Sequence, residues 1–463
     1  MSSEEKASRK KMVSYSMGWF IDNLVIASYG VLIFYYYEVE IGLATALVGI
    51  SFVIYAIWNM VNDPLVGFLT DKPMRWSKKW GLRKPWIIIG GLLSALTYLL
   101  LYTPPNVDVN ANPWPVFWYM VIITCLFDTF YSIYTTHYIG GFTNIFRTQE
   151  ERRKGGTLAY WAMSIARFLG VGIIVPIIVI AGDPSSYIRA SLVTAIAIVI
   201  CMVLFLPGIK ETEAVKMRYL KIYEYLEKTQ LPYFKFLKIA FKQKNFKLQL
   251  ISFCLFTFAY SLQQASLFFF IRDVLGADII ILTLYSLVFV FGFLGSIFIW
   301  SRFVADRIGH PNLYALGFIL IGIAFLAHLW IATVAEFYFW NFIGGIAFGA
   351  IGCVSMSIAA DVNDEVTEAC GRHQEAALIG IRNFFYRFAF VLVGIILAGT
   401  HILTGYVPGA TTQTELAQLG IRIHAGLFSA IFCFVGALLV LKYYDLKGDK
   451  REQLMTSLRA KGL

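Results

Sequence analysis

Charge is what this sequence has least of. Only 15% of its 463 residues are Asp, Glu, Lys or Arg, while 58% are hydrophobic and 16% aromatic. A soluble domain carries roughly 25% charged residues, so a water-soluble globular fold is excluded. The six cysteines have no paired spacing. Cys125, Cys201, Cys254, Cys353 and Cys433 lie in apolar stretches and Cys370 in a polar one, so neither a disulfide nor a metal site is expected. The six histidines are scattered without metal-ligand spacing. No phosphate loop, dinucleotide fingerprint or nucleophile elbow occurs. These absences speak against an ATP-driven pump and against an enzyme, and no cofactor is expected.

What is abundant is apolar runs. About 12 stretches reach the ~20 residues that a membrane-spanning helix needs. Six centre near Ile26, Ala56, Leu93, Cys125, Val171 and Ile198. Six more centre near Phe258, Phe291, Ile321, Ala347, Leu392 and Ile431. The fold expected is an all-α membrane protein of 12 transmembrane helices in two pseudo-symmetric six-helix bundles. Residues 1–207 form the first bundle, 208–245 a polar, basic connection, and 246–463 the second bundle with its tail. Two sets of six is the layout of a secondary transporter that works by alternating access. The apolar stretch after the polar Met1–Lys11 is too long for a signal-peptide core and reads as the first span.

The net charge of +10 does not point to nucleic acid, because its distribution follows the spans. Thirty-three of the 39 Lys and Arg residues fall in the two tails and in alternate connections, and only Arg189, Arg272 and Arg422 on the other side. The bias predicts a cell-membrane protein with both termini in the cytoplasm, and basic residues beside the membrane favour anionic lipid heads. A monomer suffices for such an architecture.

The remaining three cations and several carboxylates fall inside spans. A charge at the bilayer centre costs at least ~2.5–3.5 kcal/mol, so such residues mark an ion or solute path unless they tether helices. In the second span, Trp58 through Gly67 contains Asn59, Asn62, Asp63 and Pro64. Asn59 and Asp63 are four apart and share a face, and Pro64 frees a backbone carbonyl. This oxygen set suits Na⁺, whereas a lone carboxylate in an apolar setting suits H⁺. Asp22 lies in the first span, and Asp128, Tyr131, Ser132 and Thr135 follow one another along the fourth. Tyr160 and Arg167 lie in the fifth. If the fourth and fifth spans are antiparallel neighbours, Asp128 and Arg167 share a depth and pair, either on a solute or as a structural tether. Arg387 in the eleventh span needs an anionic partner or snorkels to the surface. Gln263 and Gln264 in the seventh either donate to a solute or join helices. Asp71, Arg152, Asp306, Asp361 and Asp364 border the basic side, where they form gating pairs or simple solvated charge. Gly67–Asp71 and Arg302–Gly309 stand in equivalent places, a weak internal repeat.

Several segments in this order resemble the glycoside–pentoside–hexuronide:cation symporters, the melibiose-permease branch of the major facilitator superfamily. They are Tyr15–Asp22, Trp58–Gly67, Trp80–Trp86, Glu150–Arg152, Ala360–Glu365 and Gly405–Pro408. The resemblance implies a cation site on spans two and four, to which Asp63 and Asn62 correspond. Ser132 stands where the family often has threonine. Asn59 stands where a second cation-site carboxylate is typical, which implies weaker Na⁺ coupling, a switch to H⁺, or none. Arg387 matches a lysine near that site, and Asp22 matches a sugar-binding aspartate. Thr135 and Tyr160 stand in place of the family's other sugar-site aspartate and arginine; apart from the resemblance, we read Asp128 and Arg167, two turns away, as their substitutes. The resemblance thus implies Na⁺- or H⁺-coupled symport of a sugar, glycoside or similar small polar solute. A carrier of lysophospholipid or another amphipathic lipid and a non-cycling, transporter-like sensor are the alternatives.

Overall fold

The computed structural model describes residues 7–70, 74, 76–146, 149–213, 216–217, 233–371 and 375–461. The chain folds as two units, Met1–Gln230 and Leu231–Leu463. The first unit contains α1 (Arg9–Tyr35), α2 (Thr45–Thr70), α3 (Lys84–Leu100), α4 (Trp114–Ile145), α5 (Gln149–Leu169) and α6 (Pro184–Phe205). The second contains α7 (Lys244–Phe269), α8 (Ile281–Ile299), α9 (His310–Leu326), α10 (Val334–Cys370), α11 (Glu375–Thr404) and α12 (Glu415–Tyr443). Ten of these are long and apolar enough to cross a membrane by themselves. α3 and the Leu392–Thr404 part of α11 are shorter apolar segments.

Local chemistry sets the helix ends. The Ser8 hydroxyl accepts the Lys11 N–H at 3.2 Å and starts α1. Thr333 and Glu336 form a reciprocal capping box at α10, and the Thr414 hydroxyl accepts the Ala417 N–H at 3.2 Å to start α12. α10 stops at Gly371, whose φ of 70° is left-handed.

Both units pack the same way. In the first, α1 lies on α5 and α6, α4 lies on α2 and α3, and α3 lies on α6. In the second, α7 lies on α11 and α12, α10 on α8 and α9, and α9 on α12. Each helix therefore has a counterpart six helices later. The repeat extends to backbone detail. α1 and α7 each end in a five-residue π-helical turn, Tyr36–Glu40 and Phe270–Val274. The Ile41 and Leu275 N–H groups donate 3.0 Å bonds to the first carbonyl of their turn. Gly42 (φ 76°) and Gly276 (φ 59°) then reverse the chain in a conformation costly for any other residue.

The stretch expected as a loop, 208–245, includes a helix at Tyr233–Ala240, and α7 already begins at Lys244. Phe236 and Ala240 are buried against α10 while Lys235 and Lys238 stay exposed, so an amphipathic surface helix forms where charge alone suggested open chain. A last helix, Asp449–Lys461, packs on α10. Its approach is knotted by Asp445. That carboxylate accepts from Asn245 Nδ2 at 2.9 Å, Lys450 Nζ at 2.7 Å and Lys244 Nζ at 3.3 Å. Burial pushes the Asp445 carboxyl up, but the bonds from Lys450, Asn245 and Lys244 outweigh it and bring it down to about 2. The free chain titrates near about 3.9, so the knot is intact above that value and is lost only as pH falls through about 2. Asp445→Asn is expected to loosen residues 449–461 at neutral pH, read as faster amide exchange there. Unchanged exchange would mean that the knot does not hold the helix.

Candidate functional site

α2 has two distinct faces. Ile57, Val61, Leu65 and Leu69 are exposed at four-residue spacing, whereas Tyr55, Asn59, Asn62, Val66 and Thr70 are buried, the helical period placing them on the side of α4. Polar groups line this seam. Asn62 Nδ2 donates to Asp128 Oδ2 of α4 at 3.0 Å, and Asn62 and Asp128 are 1% and 2% exposed. Asn59 Nδ2 donates to Tyr55 Oη at 3.3 Å. Thr70 Oγ1 and His137 Nε2 are 2.7 Å apart. Asp63 is half-buried on the same helix, and Ser132 is fully buried on α4. Asn62 and Asp128 thus join α2 to α4, and Asn59, Asp63 and Ser132 stand within about one turn of that pair along the same two helices, an oxygen-rich stretch of the α2–α4 seam.

A second cluster surrounds Asp22 of α1. Tyr131 Oη donates to Asp22 Oδ1, and Tyr138 Oη donates to Asp22 Oδ2 at 2.7 Å. Tyr134 Oη donates to the Gly18 carbonyl at 2.8 Å. The Trp19 ring meets Tyr138 edge-on with centroids 5.1 Å apart. Among the described residues, its buried indole N–H has no partner. Tyr131, Tyr134 and Tyr138 lie three and four residues apart, so one stripe of α4 carries all three hydroxyls to α1. Thr135 is buried beside them, its hydroxyl 3.4 Å from the Ser132 carbonyl.

Arg167 requires a correction. Its expected pairing with Asp128 assumes that α4 and α5 are neighbours. Among the described residues α5 instead packs along α1. A short connection fixes the direction of the next helix but not the helix it lies against. The two run parallel. The Ala7 N–H donates to Glu151 Oε1 at 2.7 Å near their starts, and a Cβ on Gly170 would lie 3.2 Å from the Leu24 carbonyl. Both contacts give an offset close to that between Asp22 and Arg167, which places Arg167 at the level of Asp22. Tyr160, two turns earlier, is partly exposed.

Elsewhere the expected residues separate. Gln264 Nε2 donates to Gln263 Oε1 at 3.2 Å, and Gln263 Nε2 lies 3.5 Å from Tyr285 Oη of α8. Asp361 of α10 meets Arg451 of the last helix at 2.8 Å. Asp364 is half-buried one turn on, and Asp306 is exposed on the short helix Ala305–Ile308. Asp71 and the side chains of Arg152 and Arg387 lie outside the described residues. Sequence reasoning misses Tyr138, Trp19 and His137. The signal for Tyr138 is its place two turns beyond Tyr131, and for Trp19 its place one turn before Asp22.

Comparison with known proteins gives one family. The model described as MFS/sugar transport protein matches residues 14–447. A symporter of Bacillus subtilis (strain 168), YjmB, is 23% identical over 99% of this chain and 97% of its own. The lactose permease of Lactobacillus delbrueckii subsp. bulgaricus is 24% identical over 87% of this chain and 64% of its own. The mouse (Mus musculus) sodium-dependent lysophosphatidylcholine symporter 1 is 21% identical over 87% of this chain and 79% of its own. Among solved structures, a peptide transporter in complex with sulfate superposes with a TM-score of 0.63 at 13% identity. The match covers 95% of this chain and 96% of that one and reports the fold alone.

Proposed function

The chain belongs to the MFS/sugar transport family, a transporter family rather than an enzyme family, and from that premise we propose that it is a cation-coupled symporter of a sugar, glycoside or similar polar solute. Asp22 carries this reading. It is a carboxylate within a helix bundle, fixed by two phenol hydroxyls, with the indole of Trp19 one turn away. A carboxylate accepts from solute hydroxyls, and an aromatic face packs on the apolar side of a sugar ring. Arg167, level with Asp22, completes the solute site.

The α2–α4 cluster binds the driving cation. Asn59 leaves α2 one carboxylate short of the family pattern, and Asp128, bonded to Asn62, supplies the second from α4. Two carboxylates with amide oxygens favour a hard cation such as Na⁺, and H⁺ is served by the same carboxylates. The excess of Lys and Arg beside the termini supports a cell-membrane protein with cytoplasmic ends.

A second reading is lysolipid transport. It is favoured by an apolar groove of about 480 Å³ between α2 and α4, lined by Ile57, Trp58, Val61, Val121, Ile122 and Leu126 among others. The deciding experiment is thermal stabilisation of the purified protein by sugars, glycosides and lysolipids, each with Na⁺, Li⁺ or at low pH. Counterflow in liposomes then separates a carrier from a non-cycling sensor. A sugar or glycoside is expected to stabilise, and more so with the cation; stabilisation by lysolipid alone would overturn the proposal. In the same assay Asn59→Asp is expected to lower the half-saturating Na⁺ concentration about tenfold, the equivalent of ~1.4 kcal/mol. An unchanged cation response would place coupling elsewhere.

A further inference from the structure

Transport as proposed makes no use of Arg382, a cation inside the second bundle. It lies on α11, about two turns after that helix starts at Glu375, and it is half-buried. Its partners come from two other helices. Nε donates to Gln249 Oε1 of α7 at 3.0 Å. Nη2 donates to Asn363 Oδ1 of α10 at 2.7 Å and to the Ala359 carbonyl at 3.3 Å. All three acceptors are neutral. Asp361 and Glu365, on either side of Asn363, are engaged elsewhere: Asp361 pairs with Arg451 at 2.8 Å, and Glu365 accepts from Asn245 Nδ2 at 2.8 Å. Asp364 follows Asn363 directly, so the helical period turns it about 100° away. The titratable neighbour is Tyr314 of α9, a buried phenol that is neutral at physiological pH. Among the described residues no carboxylate pairs with this guanidinium.

Hydrogen counting gives the chemistry of the place. Arginine has five N–H hydrogens and no acceptor. Three are engaged at Nε and Nη2. The two on Nη1 have no protein acceptor among the described residues, and Nη1 is not enclosed. Because arginine only donates, Gln249 and Asn363 must turn their oxygens toward it, which leaves their amide nitrogens facing away. Those nitrogens also have no protein acceptor among the described residues. The cluster therefore offers spare donors and a full positive charge, and no acceptor. A tether between helices would not need the charge, which costs up to ~2.5–3.5 kcal/mol inside a bilayer; a neutral donor could join the same helices without it. The class of partner that answers such a site is an oxyanion, whose bonds to a guanidinium are shorter and about twice as strong as those of neutral oxygens.

We propose that Arg382, with Gln249 and Asn363, forms a binding site in the second half for an oxyanion, the carboxylate, sulfate or phosphate group of a solute or of a lipid head. Nη1 takes the anion while Nε and Nη2 keep the guanidinium fixed between α7 and α10. The anion neutralises a charge that the protein leaves uncompensated. Where the oxyanion belongs to the solute, the class proposed above narrows to acids. The site itself stands whether or not Asp22 binds the solute.

The test is amide hydrogen exchange and thermal unfolding of the intact protein in phosphatidylcholine nanodiscs. Sodium sulfate, sodium glucuronate or glucose is added, with ionic strength held constant by sodium chloride. Sulfate or glucuronate is expected to raise the melting temperature and to slow exchange at residues 359–363 and 378–385, where glucose and chloride have no effect. Protection by the soluble anions marks a solute site. Protection that appears only when phosphatidylglycerol is included in the disc assigns the same site to a lipid head. Arg382→Gln is expected to raise the half-saturating concentration of the bound anion at least about tenfold, and Arg382→Lys, which keeps the charge but not the fork of donors, by less. Unchanged exchange at these residues with every anion in the unmodified protein would overturn the proposal, and that measurement does not depend on a variant folding. The parent's half-saturating concentration in a folded Arg382→Gln protein would overturn it as well, since the anion would then be held by other cations.

Discussion

Asp22→Ala is expected to lower the initial rate of solute uptake into proteoliposomes about 100-fold while the protein stays folded. The size follows from what the carboxylate holds. Two phenol hydroxyls, Tyr131 and Tyr138, donate to its two oxygens, and a hydrogen bond to a charged group contributes roughly 1.5–3 kcal/mol. Losing the shared acceptor frees both rings to turn. It also removes the carboxylate placed to take solute hydroxyls, so a loss of about 3 kcal/mol, or ~100-fold, is the expected scale. Tyr138→Phe removes a single donor and keeps the charge; its expected loss is about tenfold. Folding is spared because the neighbouring Tyr134–Gly18 bond, which does not involve Asp22, still joins α4 to α1. Uptake by Asp22→Ala at the unmodified rate, for a solute that stabilises the parent protein, would remove Asp22 from the solute site. The candidate would then shrink to the α2–α4 cluster.

The contrast between Asp128 and Arg167 marks how far the sequence alone can be read. The number of spans, the two sets of six and the polar face of α2 follow from hydropathy and helical period, because both are local. Asn59, Asn62 and Asp63 are close in sequence, and no tertiary knowledge is needed to put them on one helix. Which helix faces which is a different kind of fact. The turn between α4 and α5 dictates only reversal, and the lateral neighbour of α5 is chosen by small residues such as Gly170, which brings it against Leu24 of α1. Arg167 therefore lies on a helix packed along α1 rather than α4, and Asp128, expected on the solute, bonds to Asn62. Tyr138 is legible in principle, two turns from Tyr131. The partners of Arg382 are not, since Gln249 and Asn363 stand 133 and 19 residues away on two other helices.

Gly345→Val is expected to abolish accumulation of folded protein, with Gly345→Ala intermediate and Gly344→Ala close to the parent in yield and melting temperature. Sequence treats the two glycines alike; their surroundings do not. A Cβ on Gly344 would meet only the Ala324 Cβ at 3.8 Å, an ordinary contact. A Cβ on Gly345 would run into the Phe289 carbonyl oxygen of α8 and come within 3.1 Å of the Phe293 nitrogen. These are backbone atoms and cannot swing aside. Gly292 answers from the other helix, where a Cβ would lie 2.6 Å from the Phe342 carbonyl. Helices packed this closely in a membrane are held by contact rather than by water exclusion. Forcing them apart costs more than the 1–3 kcal/mol typical of an overfilled core, roughly a lower bound here. Wild-type yield of Gly345→Val would mean that α8 and α10 are less tightly apposed than these contacts require. The seam has a counterpart: α8 stands to α10 as α2 stands to α4. In the first half that interface is polar, joined by Asn62 and Asp128; in the second it is closed by glycine against backbone. In the second half the polar side chains at this seam, Ser296, Tyr338 and Asn341, bond to backbone carbonyls of the facing helix, whereas in the first a carboxylate and an amide meet across it, which is why the cation cluster is sought in the first half.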